Sequence, residues 1–172
     1  MLSSVIQPTP RTCREALTVL GLCAMLGTAC AYSRMGEAEV RLQDGQPCFT
    51  LSAKEAKRGA TVRLQALVIS DLSSKPVTDV WSMSLDPMRS APLSPASCMA
   101  YGQIPTGAEA APAPELKTGR VYEVFLNGRR SDPSDPTQGY IAKFCLVADE
   151  AGGRRLMPVE FGSRARTEGV CR

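Results

Sequence analysis

The sequence predicts an all-β domain, a small antiparallel β-sandwich of immunoglobulin-like type, preceded by the helix of an export signal. Three observations point there. Short runs of alternating apolar and polar residues recur from residue 39 onward, each closed by a turn signal. No long amphipathic helix competes with them. Four cysteines lie in the same stretch, as suits a domain that matures in an oxidising compartment.

The chain opens with the pattern of a secretory signal. Arg11 and Arg14 supply a charged n-region, Ala16 to Leu26 an apolar h-region, and Gly27-Thr28-Ala29-Cys30-Ala31 a run of small residues. The apolar run is too short for the roughly 20 residues of a membrane-spanning helix. Two cleavages are compatible with it. Gly27-Thr28-Ala29-Cys30 resembles a lipoprotein signal, in which Cys30 is lipidated and becomes the first mature residue. Gly27 departs from that pattern, where Leu is usual. Ala29-Cys30-Ala31 fits an A-x-A site instead, releasing a soluble protein from Tyr32. We favour lipidation because Cys30 sits where such a signal places its cysteine. The chain then divides into a signal peptide over 1–29, a linker over 30–38 and the β-domain over 39–172. The expected location is the periplasm, with a lipid anchor in the outer membrane.

Within the domain, Glu39 to Leu42 alternates and Asp44-Gly45 predicts a hairpin turn into a strand over Pro47 to Leu51. Ser52-Ala53-Lys54-Glu55 is a capping box that opens a short polar helical turn, ended by Gly59. Val62 to Ile69 reads as a central strand. Val80 to Leu85 alternates so that Trp81, Met83 and Leu85 share one face, and Trp81, the only tryptophan, is expected to anchor the core. Ser97 to Tyr101 predicts a further short strand. Gly107 to Pro114 is low in complexity and reads as a loop. Val121 to Leu126 predicts a strand ended by a turn at Asn127-Gly128. Tyr140 to Val147 is the clearest strand of all, and Gly152-Gly153 turns it into an edge strand over Arg155 to Val159, placed at an edge by Pro158.

Of seven cysteines, Cys13 and Cys23 leave with the signal, and Cys48, Cys98, Cys145 and Cys171 remain in the domain. Four cysteines permit three connectivities. Cys48 and Cys145 both sit in apolar strand contexts, which favours a Cys48–Cys145 bridge across the core and leaves Cys98–Cys171 to hold the tail.

The composition narrows the chemistry. The chain has 172 residues, net charge +3 and no histidine. Absence of histidine removes the usual general base and the commonest transition-metal ligand. Nucleophile elbows, phosphate loops and dinucleotide fingerprints are missing from the sequence. The carboxylate pairs Asp132/Asp135 and Asp149/Glu150 lie in turn-rich stretches, where Asp is favoured for backbone reasons. Aromatic residues make up 5% of the chain and its basic residues are scattered, which argues against nucleic acid. The reading is a binding protein rather than an enzyme, with no cofactor and no metal. Its candidate contact loops are Ser90–Pro95, Gly107–Pro114 and Arg129–Gln138.

Several segments taken together carry a resemblance. They are the lipoprotein-like leader, Asp44-Gly45-Gln46-Pro47-Cys48-Phe49-Thr50-Leu51, Cys98-Met99-Ala100-Tyr101-Gly102, Gly119-Arg120-Val121-Tyr122-Glu123-Val124 and Tyr140-Ile141-Ala142-Lys143-Phe144-Cys145-Leu146. Their order resembles the type VI secretion immunity periplasmic lipoproteins, while the leader's Gly27 and the tail bearing Cys171 depart from that family. The resemblance implies a partner, a toxin delivered into the periplasm, which the protein would bind and neutralise. The other class compatible with these residues is a structural or assembly lipoprotein that binds an envelope protein or peptidoglycan.

Overall fold

The computed structural model describes residues 33–59, 61–150, 152–160, 163, 165, 168, 169 and 171. The signal peptide, its helix, Cys30 and the alternative site at Ala31 lie outside the described residues. Strand β1 (Arg34–Gln43) is followed by β2 (Gln46–Leu51), one helical turn α1 (Ala53–Ala56), β3 (Val62–Asp71) and β4 (Thr78–Leu85). A 3-10 turn at Pro87–Arg89 leads to β5 (Ala91–Leu93), β6 (Met99–Ala100), β7 (Ala108–Ala110), β8 (Val121–Arg130), β9 (Thr137–Ala148) and β10 (Arg154–Pro158).

The fold is all-β, as the alternation predicts, but the strands form one curled mixed sheet. Its order is β6-β2-β1-β9-β8-β3-β4-β7, with β10 added to β9 and β5 to β3. The antiparallel expectation fails at one place. Arg34 to Glu37 of β1 pair in parallel with Thr137 to Ile141 of β9, and Ala38 to Gln43 pair antiparallel with β2. Strand β1 therefore belongs to both halves of the sheet, which curls and brings the Phe49 ring to 5.9 Å from Phe144. For the same reason residues 34–38, expected in the linker, are part of the sheet.

The core lies inside the curl. Leu64, Leu67 and Ile69 of β3, Val124 and Leu126 of β8, and Tyr140 and Phe144 of β9 are fully buried there. Trp81, Met83 and Leu85 line the same core, as their spacing predicts. Asp44 and Gly45 both take positive φ, 52° and 75°, the backbone that a tight two-residue hairpin requires. The Ser52 hydroxyl accepts the Glu55 amide at 3.2 Å and so caps α1.

Two sequence expectations are corrected. Asn127-Gly128 is not a turn: β8 runs through it to Arg130, paired with Ala66 and Leu64 of β3. The turn falls at 131–136, where the Asp132 carboxylate accepts the Ser134 amide at 2.9 Å. Gly128 serves packing instead, since a Cβ there would meet Val62 Cγ1 at 3.0 Å.

The second correction is the disulfide connectivity, which is Cys48–Cys98 and Cys145–Cys171. Alternation explains it. Phe49 and Phe144 take the core face of their strands, so their neighbours Cys48 and Cys145 point away from that core and from each other. Cys98, beside the short strand that pairs with β2, meets Cys48. The tail brings Cys171 onto Cys145, in a small second cluster with Val121, Leu72, Val147 and Met157. The core and both disulfides lie within 33–172, a compact unit with its own contacts.

Candidate functional site

A well-defined concavity opens at the pole opposite Arg34, between the start of β2, the residues after β6, the segment before β8 and the start of β10. Its volume is about 620 Å3, and it is lined by Gln46, Tyr101, Gly102, Ile104, Pro112 to Leu116 and Arg154. One wall is the extended segment 111–117, which pairs with no strand. Side chains hold it instead. Trp81 Nε1 donates to Ala111 O at 2.9 Å, and Tyr101 Oη donates to Pro114 O at 2.9 Å. Tyr122 Oη accepts from the Lys117 amide at 2.8 Å and donates to Lys117 O at 3.2 Å. Arg154 reaches Leu116 O at 3.5 Å.

These aromatic anchors are fixed in turn by packing. The Trp81 and Tyr101 rings meet edge to face at 5.2 Å. Burial pushes the Tyr101 hydroxyl up to about 12 and raises that of Tyr122 as well, so both stay protonated and able to donate. Gly102 adopts φ 79°, and a Cβ there would stand 3.2 Å from Ala113 Cβ, so the floor and the wall meet closely. The rim is mixed in character. Ile104 is 46% exposed, and Arg154 lies 3.6 Å from the exposed Glu115. The Cys48–Cys98 bond fastens β6, which leads directly into Tyr101.

Of the three loops singled out in the sequence, only Gly107–Pro114 contributes to this groove, through Pro112 to Pro114. Ser90–Pro95 contains β5, and the Ser94 carbonyl is held by Thr50 Oγ1 at 2.5 Å. Arg129–Gln138 connects β8 to β9 at the far pole. Trp81 was legible as a core residue and Tyr101 and Tyr122 as strand residues, but none of them as a prop of a binding wall. The one available signal was a proline-rich segment flanked by Tyr101 and Tyr122.

The second conspicuous site is ionic. Glu55, read from sequence as part of a short polar helical turn, is completely buried. Arg34 clasps both of its carboxylate oxygens, Arg130 Nη2 approaches Oε2 at 3.2 Å, and Arg58 Nε lies at 3.6 Å. The hydrogen bonds from Arg34 hold the Glu55 carboxyl below the usual carboxylate range. Asp135 completes the knot, 3.3 Å from both Arg130 and Arg58. The Thr137 hydroxyl brings Asp135 down to about 2, with help from Arg58 and Arg130. Gly36 is required there, because a Cβ would strike the Tyr140 ring at 2.3 Å.

This cluster ties α1, β1, β8 and β9 together, and every carboxylate in it is already engaged by arginine. The sequence-level pairs are likewise occupied: Asp132 caps Ser134, and Asp149 accepts the Gly153 amide at 2.6 Å. Asp132 is lowered by the Ser134 hydroxyl it accepts from. Among the described residues, no group of three His, Cys, Asp or Glu side chains lies together as a metal site would require.

No family model, characterised protein or solved structure matches the chain significantly.

Proposed function

We propose that the domain is a periplasmic immunity lipoprotein, which binds a secreted antibacterial toxin and neutralises it by occlusion. The observation that carries this reading is the groove. Its wall is an extended segment pinned at four points by buried or half-buried side chains, so it presents a fixed surface without having to be ordered on binding. Pre-organisation of this kind reduces the entropy lost on association. A concave rim with an exposed Ile104 and the charged pair Arg154 and Glu115 offers an apolar anchor point bordered by polar contacts. Inhibition by occlusion needs only such complementarity over a standard interface, not reacting groups.

The test is capture of a partner by the disulfide-bonded domain from the secreted proteins of its own cell. The captured protein is expected to arrest growth when sent to the periplasm. Its affinity for an Ile104→Arg/Glu115→Arg variant is expected to fall by about thirtyfold or more, the cost of losing an interface hot spot. Capture of envelope-assembly proteins or cell-wall material, unaffected by the groove variant, would contradict this reading and favour a structural lipoprotein.

A further inference from the structure

We propose that the pole where β1 enters the domain is a docking surface for anionic phospholipid headgroups, with Arg63 and Arg129 as its main anion ligands. The proposal rests on the reading that Cys30 carries the lipid. Three residues separate Cys30 from Arg34, so the anchor lies within roughly 14 Å of the first residue of β1. A lipid at Cys30 would thus keep the start of β1 within chain reach of the headgroups.

That surface carries cations that the fold does not need. Arg63 of β3 and Arg129 of β8 stand directly opposite each other in register, on the same exposed face of the sheet. Like charges so placed repel. Neither has a carboxylate partner among the described residues. Arg63 is nonetheless held in place, its Nε donating to Ser90 Oγ and its Nη2 to Ser90 O, each at 2.6 Å. An anion seated between the two guanidinium groups would remove the repulsion and accept their forked donors.

The neighbouring turn adds exposed Lys57, and beside it Lys54, 3.9 Å from Glu37, and Arg58, which is engaged by Glu55 and Asp135. Arg130 fixes this turn to the end of β8 by donating to Gly59 O at 2.5 Å and to Glu55 O at 2.8 Å. Of the nearby acids, Asp135 is held by arginine, Asp132 accepts from the Ser134 amide and hydroxyl, and exposed Glu37 lies 3.9 Å from Lys54, which leaves Arg63 and Arg129 without an acidic partner among the described residues. Exposed Met35, in the second position of β1, gives the same pole an apolar contact. The opposite pole mixes exposed Asp44, Asp79, Glu115 and Glu150 with exposed Lys75, Lys117 and Arg155, so its charges offset one another.

The domain over 31–172, made with both disulfides and no lipid, is titrated with two kinds of vesicle. One is phosphatidylethanolamine with phosphatidylglycerol, and the other is phosphatidylethanolamine with phosphatidylcholine. Binding is expected to the anionic vesicles alone and to weaken as salt rises. An Arg63→Glu/Arg129→Glu variant is expected to bind at least about tenfold more weakly, and a Lys75→Glu/Arg155→Glu variant at the far pole to bind as the wild type does. Circular dichroism verifies that both variants keep the fold. Equal affinity for the two vesicles, no binding to either, or wild-type binding by the first variant would overturn the proposal. The mass of the mature N-terminus in cells tests the anchor separately. An unmodified Cys30, or a chain starting at Tyr32, would sink the anchoring reading while the titration still decides whether the pole binds headgroups.

Discussion

Glu55 illustrates how a residue can be read correctly at one level and missed at the next. Ser52-Ala53-Lys54-Glu55 specifies a capped helical turn, and the structure has it. Nothing in those four residues says that the turn packs over β1, because the arginines that neutralise Glu55 come from positions 34, 58 and 130. Replacing Glu55 by Ala leaves Arg34 and Arg130 without their counter-charge. Denaturant melts are expected to show a loss of about 3–5 kcal/mol, as for other broken buried ion pairs. The pH dependence follows from the same contacts. Glu55 and Asp135 have folded-state values below their unfolded ones, so their stabilisation is present above pH ~4 and is lost as pH falls through the folded-state values, about 2 for Asp135. At the alkaline end Tyr101 is raised to about 12, and Tyr122 and Tyr140 are raised too. Their contribution is complete below pH ~10 and is lost as pH rises through the folded-state values. Thermal melts across pH should fall at both ends, and Glu55→Ala should flatten the acid arm.

Most elements were legible because alternation and turn chemistry are local. The hairpin at Asp44-Gly45, the core face of β4 and the edge strand at Pro158 each follow from a few adjacent residues. The errors share a cause in pairing between distant segments. Asn127-Gly128 is a turn signal by composition, yet β3 pairs across it and keeps it extended. The first residues of β1 lack a strand pattern of their own and are ordered by β9. The apolar context of Cys48 and Cys145 did not reveal which face each occupied, and alternation beside Phe49 and Phe144 places both outside the core. The bonds that result close loops of 50 and 26 residues. In the chain-entropy model, loops of that length contribute about 4 and about 3.5 kcal/mol respectively. Cys48→Ala/Cys98→Ala and Cys145→Ala/Cys171→Ala should lower the denaturation free energy by those amounts. The first pair should also weaken partner binding, because β6 leads into Tyr101 at the groove; the second should leave binding unchanged.

At the scale of the whole molecule the two poles differ. One gathers exposed arginine and lysine around the start of β1, close to the proposed anchor. The other presents the groove, with its pinned wall and mixed rim. The sequence made the disulfide-bearing β-domain readable, because strand alternation and cysteine content are matters of period and composition. It did not make the groove readable, since that site is assembled from the β1–β2 turn, the residues after β6, the segment before β8 and the start of β10. Only the proline-rich part of one wall had drawn notice as a loop. The most direct measurement is growth of cells carrying the captured secreted protein in their periplasm, with and without this chain. Wild-type chain is expected to restore growth, and the Ile104→Arg/Glu115→Arg variant to fail at equal abundance. Arrest that the wild-type chain does not relieve, or full protection by the groove variant, would contradict neutralisation through this surface.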